Sequence, residues 1–229
     1  MTLYTDNDSF CCKVLRARIA DGSLPNGDVL EKDIREVTAD DLAGYEIVHL
    51  FAGIGGFGLA QKWAGWTGSL LTGGPPCQPF SSASRGRRNG TEDDRHLWPE
   101  MLRVIQEKQS AVILFENVTH IDGMALEEVV SDLEANDYET WPPLEIPACG
   151  IGQDHRRARN WICGFTNGNG KSKLPIDAKM AKLSKGRSDT ESVGADNGVS
   201  GGLDRNRLAA LGNAIVPQVA EQILRAMKA

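Results

Sequence analysis

The sequence predicts an α/β protein built on a doubly wound, mostly parallel sheet, and three observations carry that prediction. Buried-strand patterns alternate with helix patterns along much of the chain. A Gly-x-Gly-Gly turn joins one such strand to the helix that follows it. The 229 residues are enough for one sizeable core. Regular alternation implies parallel neighbours, because each helix carries the chain back across a face of the sheet.

The elements follow in order. LYTDND (3–8) reads as a short strand and SFCCKVLRARIA (9–20) as a helix; GDVLEKDIREV (27–37) contains a strand, and TADDLAG (38–44) is a short capped helix. YEIVHLF (45–51) is a buried strand that runs into Ala52-Gly53-Ile54-Gly55-Gly56, and FGLAQKWAG (57–65) has helical apolar spacing. SLLT (69–72) is a short strand, LWPEMLRVIQEK (97–108) a helix, and AVILFENV (111–118) a buried strand with Glu116-Asn117 at its carboxyl end. ALEEVVSDLEAN (125–136) is an amphipathic helix ended by Asn136-Asp137. Residues 166–204 turn polar and poor in β-branched and aromatic residues, which predicts loop. LAALGNAIVPQVAEQILRAMK (208–228) returns to order as a loop and then a helix from Pro217.

Composition narrows the class. No apolar run approaches a membrane span and the first residues lack a signal peptide's basic and apolar regions, so a cytoplasmic protein is expected. Five cysteines with no Cys-x-x-Cys pair predict neither a disulfide framework nor a metal site. The formal charge is −6, yet basic residues gather at Arg85–Arg88, His155–Arg159 and the lysine-rich stretch from Lys171 to Arg187. Such patches on an acidic chain can hold nucleic acid, although charge runs also occur as solvated faces.

Two local features carry chemistry. The glycine turn after a buried strand lets the backbone approach a nucleotide-like ligand, with free helix N–H groups behind it. Cys77 follows a strand at the edge where parallel sheets hold ligands, in a loop braced by Pro75, Pro76 and Pro79. Packing alone gives no reason to hold a thiol there. Cys11 and Cys12 have no such context and read as helix packing.

These residues together resemble the DNA cytosine-5 methyltransferases. GGPPCQPFS (73–81) looks like the nucleophile motif of that family, HLFAGIGGFGLA (49–60) its cofactor loop, and FENV (115–118) its glutamate motif. HRRAR (155–159) resembles its arginine motif, with His155 where glutamine is usual, and LAALGNAIVP (208–217) the motif that closes the cofactor pocket. The resemblance implies a Rossmann-like fold, S-adenosylmethionine as cofactor and double-stranded DNA as partner, in a monomer without metal. It implies catalytic roles for Cys77, Glu116, Arg157 and Arg159. For the cofactor it implies Phe51, Ala52, Gly53, Ile54, Gly55, Gly56, Pro75, Asn213 and Ala214, although Phe51 also reads as a core residue. For DNA it implies Gln78, Ser81, Arg85, Arg87 and Arg88, the arginines lying on phosphates in a loop (82–95) that closes over a flipped-out base.

The chain departs from the family in one large respect. Two strand-helix units that usually lie between the glycine loop and the cysteine have no room there, since about one helix and one strand fill the interval. Both are expected at the N-terminus instead: YTDND with Asp6 for the ribose, and NGDVLEKDI with Asp28, or alternatively Asp33, for the adenine. The expectation is a permuted enzyme of phage type. Residues 1–165 form its catalytic and cofactor-binding domain, with 1–44 the displaced units; 166–204 form a minimal recognition segment, which leaves room for a partner in sequence recognition. Residues 205–229 complete the pocket. An RNA cytosine methyltransferase and an idle nucleic-acid-binding relic are the alternatives.

Overall fold

A computed structural model describes residues 1–76, 97–118, 123–155, 157–166 and 205–228. The chain begins with β1 (Thr2–Asp6), α1 (Ser9–Ala20) and β2 (Gly27–Glu31). Asp8 caps α1, its carboxylate accepting from the Phe10 and Cys11 amides at 2.7 and 3.2 Å, which fixes the start of the helix. A 3₁₀ turn (Ile34–Glu36) and the four-residue α2 (Ala39–Leu42) follow. Then come β3 (Ile47–His49), α3 (Gly56–Ala64), β4 (Leu70–Gly73), α4 (Trp98–Lys108), β5 (Val112–Val118) and α5 (Gly123–Ala135). The described chain ends with β6 (Tyr138–Thr140), β7 (Leu144–Ile146), β8 (Arg159–Thr166), α6 (Arg205–Asn213) and α7 (Pro217–Lys228).

The strands form one sheet in the order β2-β1-β3-β4-β5-β8-β6, with β7 also paired to β8. The first five are parallel; β8 runs antiparallel to β5, β6 and β7. The mostly parallel α/β sheet expected from the sequence is therefore present. Residues 1–44 supply two strands that lie beside β3, and β3 and β4 are immediate neighbours joined through α3 alone.

Alternation along each strand fills two cores. Ile47, Trp161, Cys163 and Phe165 point to the face covered by α3 and α7, while Val48 and Ile162 point to the face covered by α4 and α5. Both faces are apolar, as a parallel sheet between helix layers requires. Gly164 lies where a Cβ would sit 2.7 Å from Ile113 Cδ1, so β5 and β8 approach too closely for a side chain.

The structure departs from the sequence reading in three places. Residues 138–166, where the sequence reading assigns no element, hold three strands; β6 and β7 are only three residues long, and β8 is buried from Asn160 through Phe165. Residues 208–213, read as loop, belong to α6, in keeping with the helix preference of Leu208-Ala209-Ala210-Leu211. The strand read at 45–51 is confined to Ile47–His49, because Phe51 already turns with a positive φ of 50°.

A polar network crosses the sheet behind the glycine turn. His49 is fully buried, with Nδ1 2.8 Å from Thr72 Oγ1 and Nε2 2.9 Å from Gln61 Oε1. An amide oxygen only accepts, so Nε2 carries the proton and Nδ1 accepts from the Thr72 hydroxyl. Burial pushes the imidazole down to about 4, the Gln61 bond opposing, so the ring is neutral. At the far end of α3, Arg225 Nη2 donates to Trp63 O and Lys228 Nζ to Gly65 O, each at 2.7 Å, so α7 closes the carbonyl end of that helix. Among the described residues, no helix is long and apolar enough to cross a membrane, and no three His, Cys, Asp or Glu side chains are grouped to hold a metal ion.

Candidate active site

A cleft opens at the carboxyl ends of β3, β4 and β5, where parallel sheets of this kind hold ligands. Its lining is residues 51–54, 56 and 57 from the glycine turn, Gly74, Glu116, and residues 213–215 between α6 and α7. The turn is held in an unusual shape: Phe51, Gly53 and Gly55 all have positive φ (50°, 54° and 89°). For phenylalanine that conformation carries strain and persists only when its surroundings dictate it. Phe51 lines the cleft and also packs against the α4/α5 core.

The N-terminal segment does much of the dictating. Thr5 O accepts from Ala52 N at 2.9 Å, and Asp6 Oδ2 accepts from Gly53 N at 2.7 Å. Asp6 Oδ1 accepts from Asp8 N at 2.9 Å. Burial raises the Asp6 carboxyl above its ordinary value, against the pull of those two amides. Gly55 faces away from the cleft: a Cβ there would meet Leu24 and Leu15, so this glycine serves the turn and its packing rather than a cleft ligand.

Glu116 stands on β5 with its side chain 11% exposed, and Arg159 Nε at the start of β8 lies 2.8 Å from its Oε1. Burial raises the Glu116 carboxyl, opposed by the charges of Arg159 and Arg157 and by the Arg159 hydrogen bond. The second oxygen faces the chain leaving β4: a Cβ on Gly74 would lie 3.3 Å from Oε2. Glycine at 74 thus lets the main chain pass directly over this carboxylate.

Arg157 takes a different place from the one expected. Its Nη2 donates to Gly212 O at 2.9 Å and Ala214 O at 2.6 Å, so it anchors the 212–215 loop instead of reaching Glu116 by hydrogen bond. Its Nε is buried without a partner among the described residues. Burial, and next the Arg159 charge, lower this guanidinium from its ordinary value. The anchored loop closes on the glycine turn, where Ile215 Cγ1 occupies the space a Cβ on Gly56 would need. Asn213 and Ala214 both line the cleft, as expected; Pro75 is buried outside the lining.

A second correction concerns Asp28. It is the second residue of β2, beside Leu3 in the register, and accepts from Tyr45 Oη at 2.7 Å, at the end of the strand away from the cleft. Asp33, the alternative, lies past the carboxyl end of β2, where it caps the 3₁₀ turn and accepts from Asn7 Nδ2 at 3.3 Å. The strand direction therefore favours Asp33. Cys77, Gln78, Ser81, Arg85, Arg87 and Arg88 lie outside the described residues. Sequence reasoning missed Gly74 as a lining residue and Arg18 as a contact of the turn. Position 74, directly before Pro75-Pro76, carried a signal; Arg18, an ordinary helix residue, carried none.

Residues 67–196 match the family model of the C-5 cytosine-specific DNA methylases. The chain is 30% identical over 163 residues to the type II methyltransferase M1.ScrFI of Lactococcus lactis subsp. cremoris, covering 69% of this chain and 33% of that protein. It is 27% identical over 174 residues to M.HhaI of Haemophilus parahaemolyticus, covering 58% of this chain and 52% of that one. The chain thus spans about a third to a half of these relatives. Among solved structures, the Entamoeba histolytica methyltransferase EhMeth resembles it at 16% identity with a TM-score of 0.49, over 75% of this chain and 46% of that one.

Proposed function

This chain belongs to the C-5 cytosine-specific DNA methylase family, and from that premise we propose that it transfers a methyl group from S-adenosylmethionine to C5 of cytosine in double-stranded DNA. One observation carries the reading: the buried Glu116–Arg159 pair stands where the glycine-turn cleft meets the chain leaving β4 for Cys77. Only two residues, Pro75 and Pro76, lie between Gly74 and Cys77, so their Cα atoms are at most about 11 Å apart. A chain that short is compatible with a thiol acting beside Glu116.

The cleft suits the cofactor. Its described lining contains no basic side chain, offers the rings of Phe51 and Phe57, and has the Glu116 carboxyl at one end. A sulfonium cation joined to a nucleoside fits such a lining better than an anion would. When bound, S-adenosylmethionine supplies an electrophilic methyl group on a positively charged sulfur. Asp6 and Asp33, past or at the carboxyl ends of β1 and β2, are the ribose and adenine candidates. The strand order, with β1 and β2 beside β3, supports the permuted arrangement.

The residues of the chain then do the following. Cys77, as thiolate, adds to C6 of the base, and the displaced electron pair makes C5 a nucleophile. Glu116, whose burial favours a proton on Oε2, hydrogen-bonds N3 and the exocyclic amine as charge develops there. Arg159 fixes Oε1 so that Oε2 keeps its aim. Once C5 carries the methyl group, loss of its proton restores the C5–C6 double bond and expels the Cys77 thiolate. A stacked base cannot reach this site, so the target is flipped out, with Arg85, Arg87 and Arg88 on phosphates. Residues 166–204 are the short recognition segment, or the place where a partner supplies recognition, and the enzyme works as a cytoplasmic monomer.

The test uses duplex DNA carrying 5-fluorocytosine. Fluorine cannot leave as a cation, so a covalent complex that survives denaturation should form only with S-adenosylmethionine, with the parent and Cys149→Ser proteins but not with Cys77→Ser. Trapping through another cysteine would overturn the assignment, and methylation of tRNA in preference to duplex DNA would move the substrate to RNA.

A further inference from the structure

Of the contacts that shape the glycine turn, one comes from a side chain with no other place in the mechanism. Arg18, in the last turn of α1, donates from Nη1 to the carbonyl of Ile54 at 2.6 Å, across 36 positions of sequence. Ile54 lines the cleft and Arg18 does not. The neighbouring groups of the turn are already committed: Ala52 N to Thr5 O, Gly53 N to Asp6 Oδ2, and Gly55 N to Ala52 O at 2.9 Å. The Ile54–Gly55 peptide is therefore fixed at both ends, its N–H inside the turn and its carbonyl on a guanidinium. Gly55, with φ 89°, is the residue about which this peptide would most readily rotate, since glycine alone crosses such conformations at little cost.

We propose that Arg18 is a positioning residue for the methyl-donor loop. It holds the Ile54 carbonyl toward α1, so that this oxygen is kept out of the cleft that the cofactor would occupy. This rests on the methyltransferase reading above. A charge-assisted bond to a main-chain carbonyl is among the stronger neutral-partner contacts, and losing it would allow the peptide to turn its oxygen into the cleft. A merely structural cation at a helix end would instead act through the α1 dipole, and its loss would be felt as melting temperature alone.

The experiment compares Arg18→Met, Arg18→Lys and, as a control on the same helix, Arg16→Met, whose ion pair with Glu31 is exposed. Binding of S-adenosylhomocysteine by calorimetry, in the absence of DNA, should weaken about tenfold in Arg18→Met. Most of it should return in Arg18→Lys, and Arg16→Met should bind as the parent does. In turnover, KM for S-adenosylmethionine should rise by more than kcat falls. Hydrogen exchange at residues 52–56 of the free protein should quicken in Arg18→Met. Unchanged affinity, or unchanged exchange at the turn, overturns the proposal. A parent protein that binds no S-adenosylhomocysteine overturns the methyl-donor reading and the ligand assigned to this loop with it, while the exchange measurement still decides whether Arg18 fixes the turn.

Discussion

Asp6 and Glu116 are both carboxylates at the cleft end of the sheet, and burial raises both above their ordinary values. Their partners differ in kind. Asp6 spends its oxygens on two main-chain amides, Asp8 N and Gly53 N, which cannot swing away. Glu116 gives one oxygen to the Arg159 side chain and turns the other toward Gly74 and the open cleft. The first arrangement makes a staple, whose value lies in the loop it holds. The second makes a group whose proton can respond to a ligand. Similar burial thus yields opposite uses, decided by whether the donors are backbone or side chain.

The largest expected effect comes from breaking that contrast at Glu116. Glu116→Gln should lower the rate of methyl transfer by about 10²-fold or more, measured with saturating DNA. The same variant should melt higher than the parent at neutral pH. The Glu116 value in the folded state lies above 4.5, so between the two values the folded protein keeps a proton that the unfolded chain has lost, and stability falls as pH rises through that window. Glutamine removes this loss, and the gap between variant and parent should close as pH is lowered to about 4.5.

At Asp6 the sign of the stability change should reverse. Asp6→Asn replaces an acceptor by an amide donor facing a main-chain N–H, an unsatisfied contact worth about 1–3 kcal/mol. That loss exceeds the relief from removing a reluctant charge, so the variant should melt lower, and its calorimetric affinity for S-adenosylmethionine should drop about tenfold. A stabilised Asp6→Asn protein would erase the distinction between the two carboxylates.

A smaller effect sharpens the comparison along the sheet edge. Asp33→Ala should weaken cofactor binding several-fold, about 1 kcal/mol for one neutral-partner hydrogen bond, while Asp28→Ala, which loses a bond to half-buried Tyr45, should leave it intact. Equal losses would return Asp28 to the site. The smallest effect lies behind the turn, at His49. Its value falls from 6.5 to about 4 on folding, so the unfolded chain takes up the proton first and stability is lost as pH drops through that range. His49→Gln should flatten this acid limb of the melting curve, and an unchanged limb would assign it to other groups.

Much of this was legible because local chemistry demanded it. The glycine turn could be read since a strand-to-helix corner at a ligand needs positive φ at more than one residue. That β3 and β4 are neighbours followed from the length of chain between the glycine turn and Pro75, which leaves room for near neighbours only. What stayed hidden depends on distant partners. β8 is defined by pairing with Val112–Val118, about fifty residues earlier, and Gly164 within it looks like a strand breaker until Ile113 is seen to fill the space. Asp28 and Asp33 are indistinguishable until the end of β2 is known. Arg18 has no sequence signature, because what it holds is a single carbonyl on another element.

The clasp between α3 and α7 has a consequence for how the protein comes into being. β1 precedes β3 in the chain yet lies inside the sheet, between β2 and β3, so its apolar residues have no partner on one side until position 49 is made. The wall of the cleft opposite the glycine turn is residues 213–215, and the helix that closes α3 follows them. A nascent chain that has already built its glycine turn and Glu116 therefore still lacks a closed cleft until residues 213–228 are in place.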